Sequence, residues 1–152
     1  MLTAGNREVE VFKTIVVGVD GSGASLDALS HAVELARRDE ARLVIAHVEE
    51  RIAGKGGAFP VFADEQEVRA DIRRRVDELR AEGLDASVET AVEVLGGPAH
   101  AIAEIAEKAD ADLIVVGTRG HSPVAGLLLG GVTQRLLHIA HRPVLAVPPS
   151  SR

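Results

Sequence analysis

Cysteine, tryptophan and tyrosine are absent from these 152 residues, and the only aromatic side chains are Phe12, Phe59 and Phe62. Without thiols there is no disulfide framework, no thiol nucleophile and no thiolate metal site. With three rings in all, the chain can hardly build the stacking platform that single-stranded nucleic acid needs. Any base bound here is expected to be held by aliphatic side chains and backbone. Long apolar runs are missing too: none approaches the ~18 residues of a membrane span. The opening MLTAGNREVEVF has no apolar core of the signal-peptide kind. A net charge of -6 argues against the basic surface of a general nucleic-acid binder. The expected setting is cytoplasmic, with neither nucleic acid nor membrane as partner.

What is present fits one globular domain, with 46% hydrophobic and 26% charged residues. Residues 1–12 read as an N-terminal extension and 13–152 as the domain. Charge is unevenly spread. Up to Asp112 there are 13 basic and 23 acidic residues, a balance of -10. From Leu113 onward there are four arginines and no carboxylate. A buried strand and a packing helix exclude charge of either sign, but they do not explain why every charge that remains is positive.

Strand and helix patterns alternate. Thr14–Val19 (TIVVGV) is a β-branched run broken by Asp20, Gly21, Ser22 and Gly23, after which Leu26, Leu29, Val33 and Ala36 follow at helical spacing. Leu43–Val48 reads as a second strand. Residues 49–63, with Gly54, Gly56, Gly57 and Pro60, read as a long irregular loop. Asp64 and Glu67 have the spacing of a capping box, opening a helix with Val68, Ile72, Val76 and Leu79 inward and Gly83 as its stop. Ala86–Val94 reads as a third strand. Gly96, Gly97 and Pro98 start a helix with proline at its first position. Leu113–Val116 is a fourth strand, Val132, Leu136, Ile139 and Ala140 mark a fourth helix, and Pro143–Val147 is a fifth strand. Five strands separated by helices imply an α/β, Rossmann-like fold: a doubly wound parallel sheet. Ligands of such sheets bind at the carboxyl ends of strands, where strand order reverses.

The residues at those ends suit an anion. Gly117 and Gly120 follow the fourth strand; Gly130 and Gly131 precede the fourth helix, whose first N–H groups lack partners within the helix. Val132 lies in that first turn, and Thr133 could add a hydroxyl. Arg119 could neutralise phosphate charge. Asp20 could meet a magnesium-bound nucleotide or a ribose hydroxyl, or could simply cap the first helix. Tight turns and close helix packing are the alternative use of the glycines. His138 and His141, spaced i, i+3 near a helix end, suit that end better than a metal, and His47 in a buried strand suits a satisfied core group. The turn Gly21–Leu26 lacks the third small residue of a dinucleotide fingerprint because Leu26 stands there. Ser22 and Ser25 have no His–Asp partners nearby and read as caps. No general base or activated nucleophile stands out, so any nucleotide turnover is expected to be slow.

From Lys13 to Pro148 the chain resembles the universal stress protein family. IVVGVDGS resembles the family's first signature, LVIAHV its second strand and GGPAHAI its Gly-x-Pro helix start. The most specific match is Gly117-x-x-Gly120, nine residues, then Gly130, the pattern of the ATP-binding branch. The resemblance implies strand order 3-2-1-4-5 and a homodimer paired through the C-terminal strand. It implies adenine beside Gly18, Val19, Asp20 and Val48, with phosphates on Gly117, Arg119, Gly120, Gly130 and Thr133. The implied ligand is ATP with magnesium, with an unidentified protein partner reading its occupancy. One departure stands out: Gly131 occupies the place where the family usually has Ser or Thr. Losing that hydroxyl predicts weaker binding, or a preference for AMP or a cyclic nucleotide. A nucleotide-free dimeric interaction module is the alternative.

Overall fold

A computed structural model describes residues 11–93, 97–119 and 129–150. The elements run β1 (Thr14–Gly18), α1 (Gly23–Asp39), β2 (Arg42–Gly54), β3 (Gly57–Pro60), α2 (Glu65–Ala81), β4 (Ala86–Glu93), α3 (Pro98–Lys108), β5 (Leu113–Gly117), α4 (Gly131–Ile139) and β6 (Val144–Val147). Val94, Gly96 and Gly120 lie outside the described residues.

Five parallel strands lie in the order β4-β2-β1-β5-β6. With the hairpin strand β3 left out of the numbering, that is the expected 3-2-1-4-5. Successive side chains of a strand point to opposite faces, and both faces are covered here. Ile15, Val17, Leu43, Ile45, Leu113 and Val115 face a core closed by α1 and α2. Val16, Val44, Ala46, Ile114 and Val116 face the other, closed by α3 and α4. This two-sided burial is why the strands read as unbroken apolar runs.

The irregular loop expected over 49–63 is largely a β-hairpin. Strand β2 continues to Gly54 and pairs antiparallel with β3, Ile52 opposite Phe59 and Ala53 opposite Ala58. Gly56 (φ 95°) and Gly57 (φ 132°) supply the left-handed backbone of the turn. The same glycines suggested a loop because a hairpin turn and a loop share their residues.

Ser22 caps α1, accepting from the Ser25 N–H at 3.3 Å. Leu26, expected on the buried stripe, is half exposed: the stripe runs through Ala28, Ala32 and Ala36, and Leu26 sits on its rim. Asp64 stands at the N-cap of α2 but makes no side-chain capping bond, so the capping box does not form. Gly97 is the N-cap of α3 and Pro98 its first residue, as the sequence suggests. Among the described residues no helix is long and apolar enough to cross a membrane.

Candidate functional site

Strand β1 leads toward β2 on one side while β5 flanks it on the other, so strand order reverses between β1 and β5. At their carboxyl ends lies a cavity of about 270 Å³. Gly18, Val19, Asp20, Val48, Gly117, Arg119, Gly130, Gly131, Val132 and Thr133 all line it. Every residue singled out from the sequence as a ligand contact, within the described part of the chain, therefore borders one space.

Helices α1, α3 and α4 each begin at this edge of the sheet, and none has an acidic residue in its first turn. Their dipoles add partial positive charge there. At α4, Gln134 N–H is the first to bond within the helix, to the Gly130 carbonyl at 3.1 Å. The N–H groups of Gly131, Val132 and Thr133 have no acceptor in their own helix.

The glycines divide by role. Among the described residues a Cβ on Gly131 would meet nothing within 4 Å, leaving its backbone open to a ligand. A Cβ on Gly117 would lie 2.8 Å from the carbonyl carbon and oxygen of Ala24. Gly117 is thus required for the close approach of α1 to β5, the packing alternative, and it borders the cavity as well. At Gly18 an added Cβ would lie 3.1 Å from Ile102 Cδ1, again a packing contact.

Thr133 differs from expectation. It is buried, and its hydroxyl donates to the Gly117 carbonyl at 2.7 Å. The only hydroxyl hydrogen is engaged within the fold, so what Thr133 can offer an anion is its backbone N–H. Asp20 shapes the first turn, its Oδ1 accepting from the Ser22 N–H at 2.9 Å, while it also borders the cavity. Among the described residues no group of three His, Asp or Glu gathers to hold a metal. His141 Nδ1 lies 3.4 Å from Glu107 Oε1 at the surface, away from the cavity.

Several lining residues were not anticipated. Ile102 and Val116 add apolar wall. Phe62 borders the cavity, so an aromatic ring is available there after all. His47 is a satisfied buried group, as expected, with Nδ1 2.7 Å from the Val19 carbonyl oxygen and Nε2 2.5 Å from Glu65 Oε1. It also lines the cavity together with Glu50 and Glu65. Only the fold brings Glu65 to His47; nothing in their spacing announces it.

A parallel α/β sheet with helix N-termini and an apolar crevice at its reversal point defines a class of small-ligand-binding domains. Residues 12–148 match the profile of the Universal stress protein family. The chain belongs to that family. A universal stress protein of Methanocaldococcus jannaschii is 34% identical over 143 residues, covering 90% of this chain and 82% of the relative. Among solved structures, a universal stress protein in complex with cAMP is 33% identical, with a TM-score of 0.64 over 93% of this chain and 100% of the other. One from Archaeoglobus fulgidus in complex with dAMP is 25% identical, with a TM-score of 0.62 over 91% and 99%.

Proposed function

We propose that the cavity between β1 and β5 binds an adenine nucleotide, and that occupancy alters a surface read by another protein in the stress response. One observation carries this reading. Residues drawn from separate parts of the sequence (Gly18, Val19 and Asp20; Val48; Gly117 and Arg119; Gly130, Gly131, Val132 and Thr133) converge on a single crevice that has apolar walls and the start of α4, which no side chain caps, at one end. The base is assigned to the wall of Val19, Val48 and Ile102, and the phosphate to the first turn of α4 and Arg119. Gly120, part of the same sequence pattern, lies outside the described residues.

The residues fit a nucleotide with a short phosphate better than a long one. The volume is at the small end of ligand cavities, which run from ~300 Å³ upward. Gly131 contributes no hydroxyl, and the Thr133 hydroxyl is engaged elsewhere. The complexes of two related proteins with cAMP and dAMP point the same way. ATP with magnesium belongs to the same reading, with Asp20, at the end of β1 and on the cavity lining, assigned to the metal. We assign the protein to the cytoplasm.

Calorimetric titration of the folded protein with cAMP, AMP, and ATP with and without magnesium tests this. Saturable binding of at least one, tightest for the monophosphates, is expected. No heat at millimolar concentration of any of them contradicts it and favours the nucleotide-free module, for which the missing hydroxyl at Gly131 is the supporting observation.

A further inference from the structure

Two backbone hydrogen bonds place the β2–β3 hairpin relative to the cavity. The Val19 N–H, at the end of β1, donates to the Ala46 carbonyl at 2.9 Å, and the Val61 N–H donates to the Glu50 carbonyl at 2.8 Å. Backbone polar groups of a strand point to alternate edges, so Ala46, Val48 and Glu50 share the edge of β2 that faces β1. The Leu43 N–H, of the other parity, goes to Asp85 just ahead of β4. Strand β3 therefore follows β1 along the same edge of β2, about 13 Å farther on, while β4 keeps the opposite edge as far as Glu50. The stretch between the two bonds, at Val48, borders the cavity.

Phe62 directly follows the residue that makes the second bond, and its side chain lines the cavity. It comes from the link between β3 and α2, and α2 packs on one face of the sheet. Ile102 comes from α3, on the other face. Two apolar side chains thus enter the cavity from elements on opposite faces. Charge gives the cavity a direction as well. Its carboxylates, Asp20, Glu50 and Glu65, stand on or beside β1, β2 and α2. Arg119 and the start of α4 stand on the β5 side. A phosphate is drawn to the second end and repelled from the first, which leaves an uncharged base at the end where Phe62 lies.

We propose that Phe62 covers the base of the bound nucleotide, its ring stacked on one face of the base while Val48 and Ile102 hold the other. The inference rests on the nucleotide reading above and deepens it by naming the side chain that recognises a flat, unsaturated ring. The sequence alone leaves any base to aliphatic side chains and backbone, because its rings are so few. Folding β3 over the end of β1 brings one of those rings to the place where it serves. Stacking uses the π-face that every base has, so Phe62 selects a nucleotide over a sugar phosphate and not one base over another. The pairing of β3 with β2 holds the ring in place before the ligand arrives, so little ordering remains to be done on binding.

The test uses the full chain and calorimetric titration with cAMP. Phe62→Ala should weaken binding about tenfold or more, the usual loss when a base-stacking ring is removed. Phe59 lies on the same hairpin, opposite Ile52 and 53% exposed, and does not line the cavity. Phe59→Ala should therefore bind like wild type. Phe62→Trp keeps a ring and should bind close to wild type. The chain has no tryptophan of its own, so the emission of that variant reports this one site. It should change saturably with cAMP, over the concentrations at which heat is released. Unchanged affinity in Phe62→Ala, an equal loss in Phe59→Ala, or an emission that ignores bound cAMP overturns the proposal and leaves the nucleotide reading standing. If Phe62→Ala does not fold, the Phe62→Trp emission alone decides. No binding by the wild type overturns the nucleotide reading and the stacking ring together.

Discussion

Thr133 donates its hydroxyl hydrogen to the Gly117 carbonyl, fastening the first turn of α4 to the carboxyl end of β5. The bond joins the two glycine-bearing segments that border the cavity. Thr133→Val removes the donor and leaves a buried carbonyl without its partner, at a cost of about 1–3 kcal/mol. The urea midpoint should fall accordingly and nucleotide affinity should fall with it, because the donors of α4 lose their anchor. Thr133→Ser keeps the hydroxyl and should stay close to wild type in both.

Gly117 and Gly131 should respond in opposite ways. Gly117→Ala forces a Cβ onto the backbone of Ala24, and overpacking of this kind typically costs about 1–3 kcal/mol. Gly131→Ser meets open space among the described residues, should leave the unfolding midpoint near wild type, and adds a hydroxyl at the helix start. If phosphate sits there, one added hydrogen bond of about 1 kcal/mol tightens binding roughly fivefold. Gly131→Asp places a carboxylate at the same spot and should abolish binding without unfolding the chain. Calorimetry with cAMP reads both variants.

Strand β6 pairs with β5 alone among the described residues, and Leu145 on it is 38% exposed. The homodimer implied by the family resemblance would pair this edge with its copy. Leu145→Asp should shift the protein from dimer to monomer in sedimentation velocity while cAMP binding persists. A wild-type chain that sediments as a monomer at micromolar concentration contradicts the dimer.

Asp39 ties down the start of the domain. Its carboxylate accepts from the neighbouring Arg38 guanidinium and from the Phe12 N–H at 3.0 Å, and these bonds hold it below its ordinary value of 3.8. An acid with a lowered folded value stabilises above its unfolded value, and the benefit is lost as pH falls through the folded one. Asp39→Asn should therefore be less stable than wild type at neutral pH. The gap in urea midpoint should close on acidification from about pH 5 to about pH 2.

The sheet was legible because burial on both faces writes unbroken β-branched runs at Thr14–Gly18 and Leu113–Gly117. Its ligand crevice was legible because strand order and glycine position point to one edge. Other features depend on neighbours distant in the chain. Nothing near Gly117 in sequence shows that Ala24 presses against it. Asp64 and Glu67 invite a capping reading, yet the cap stays unmade, and Glu65 between them pairs with His47 across the fold. The hairpin of β2 and β3 is hidden in the sequence because Glu49, Glu50 and Arg51 interrupt the apolar pattern. Two of these three charges turn inward or sideways into the network with Arg69.

A crystal structure of the protein grown with cAMP tests the central claim most directly. The account expects the phosphate within hydrogen-bond reach of the Gly131 and Val132 N–H groups, and the base against Val48. Density for the nucleotide elsewhere on the molecule, or side chains packed over the start of α4 in its place, would contradict it.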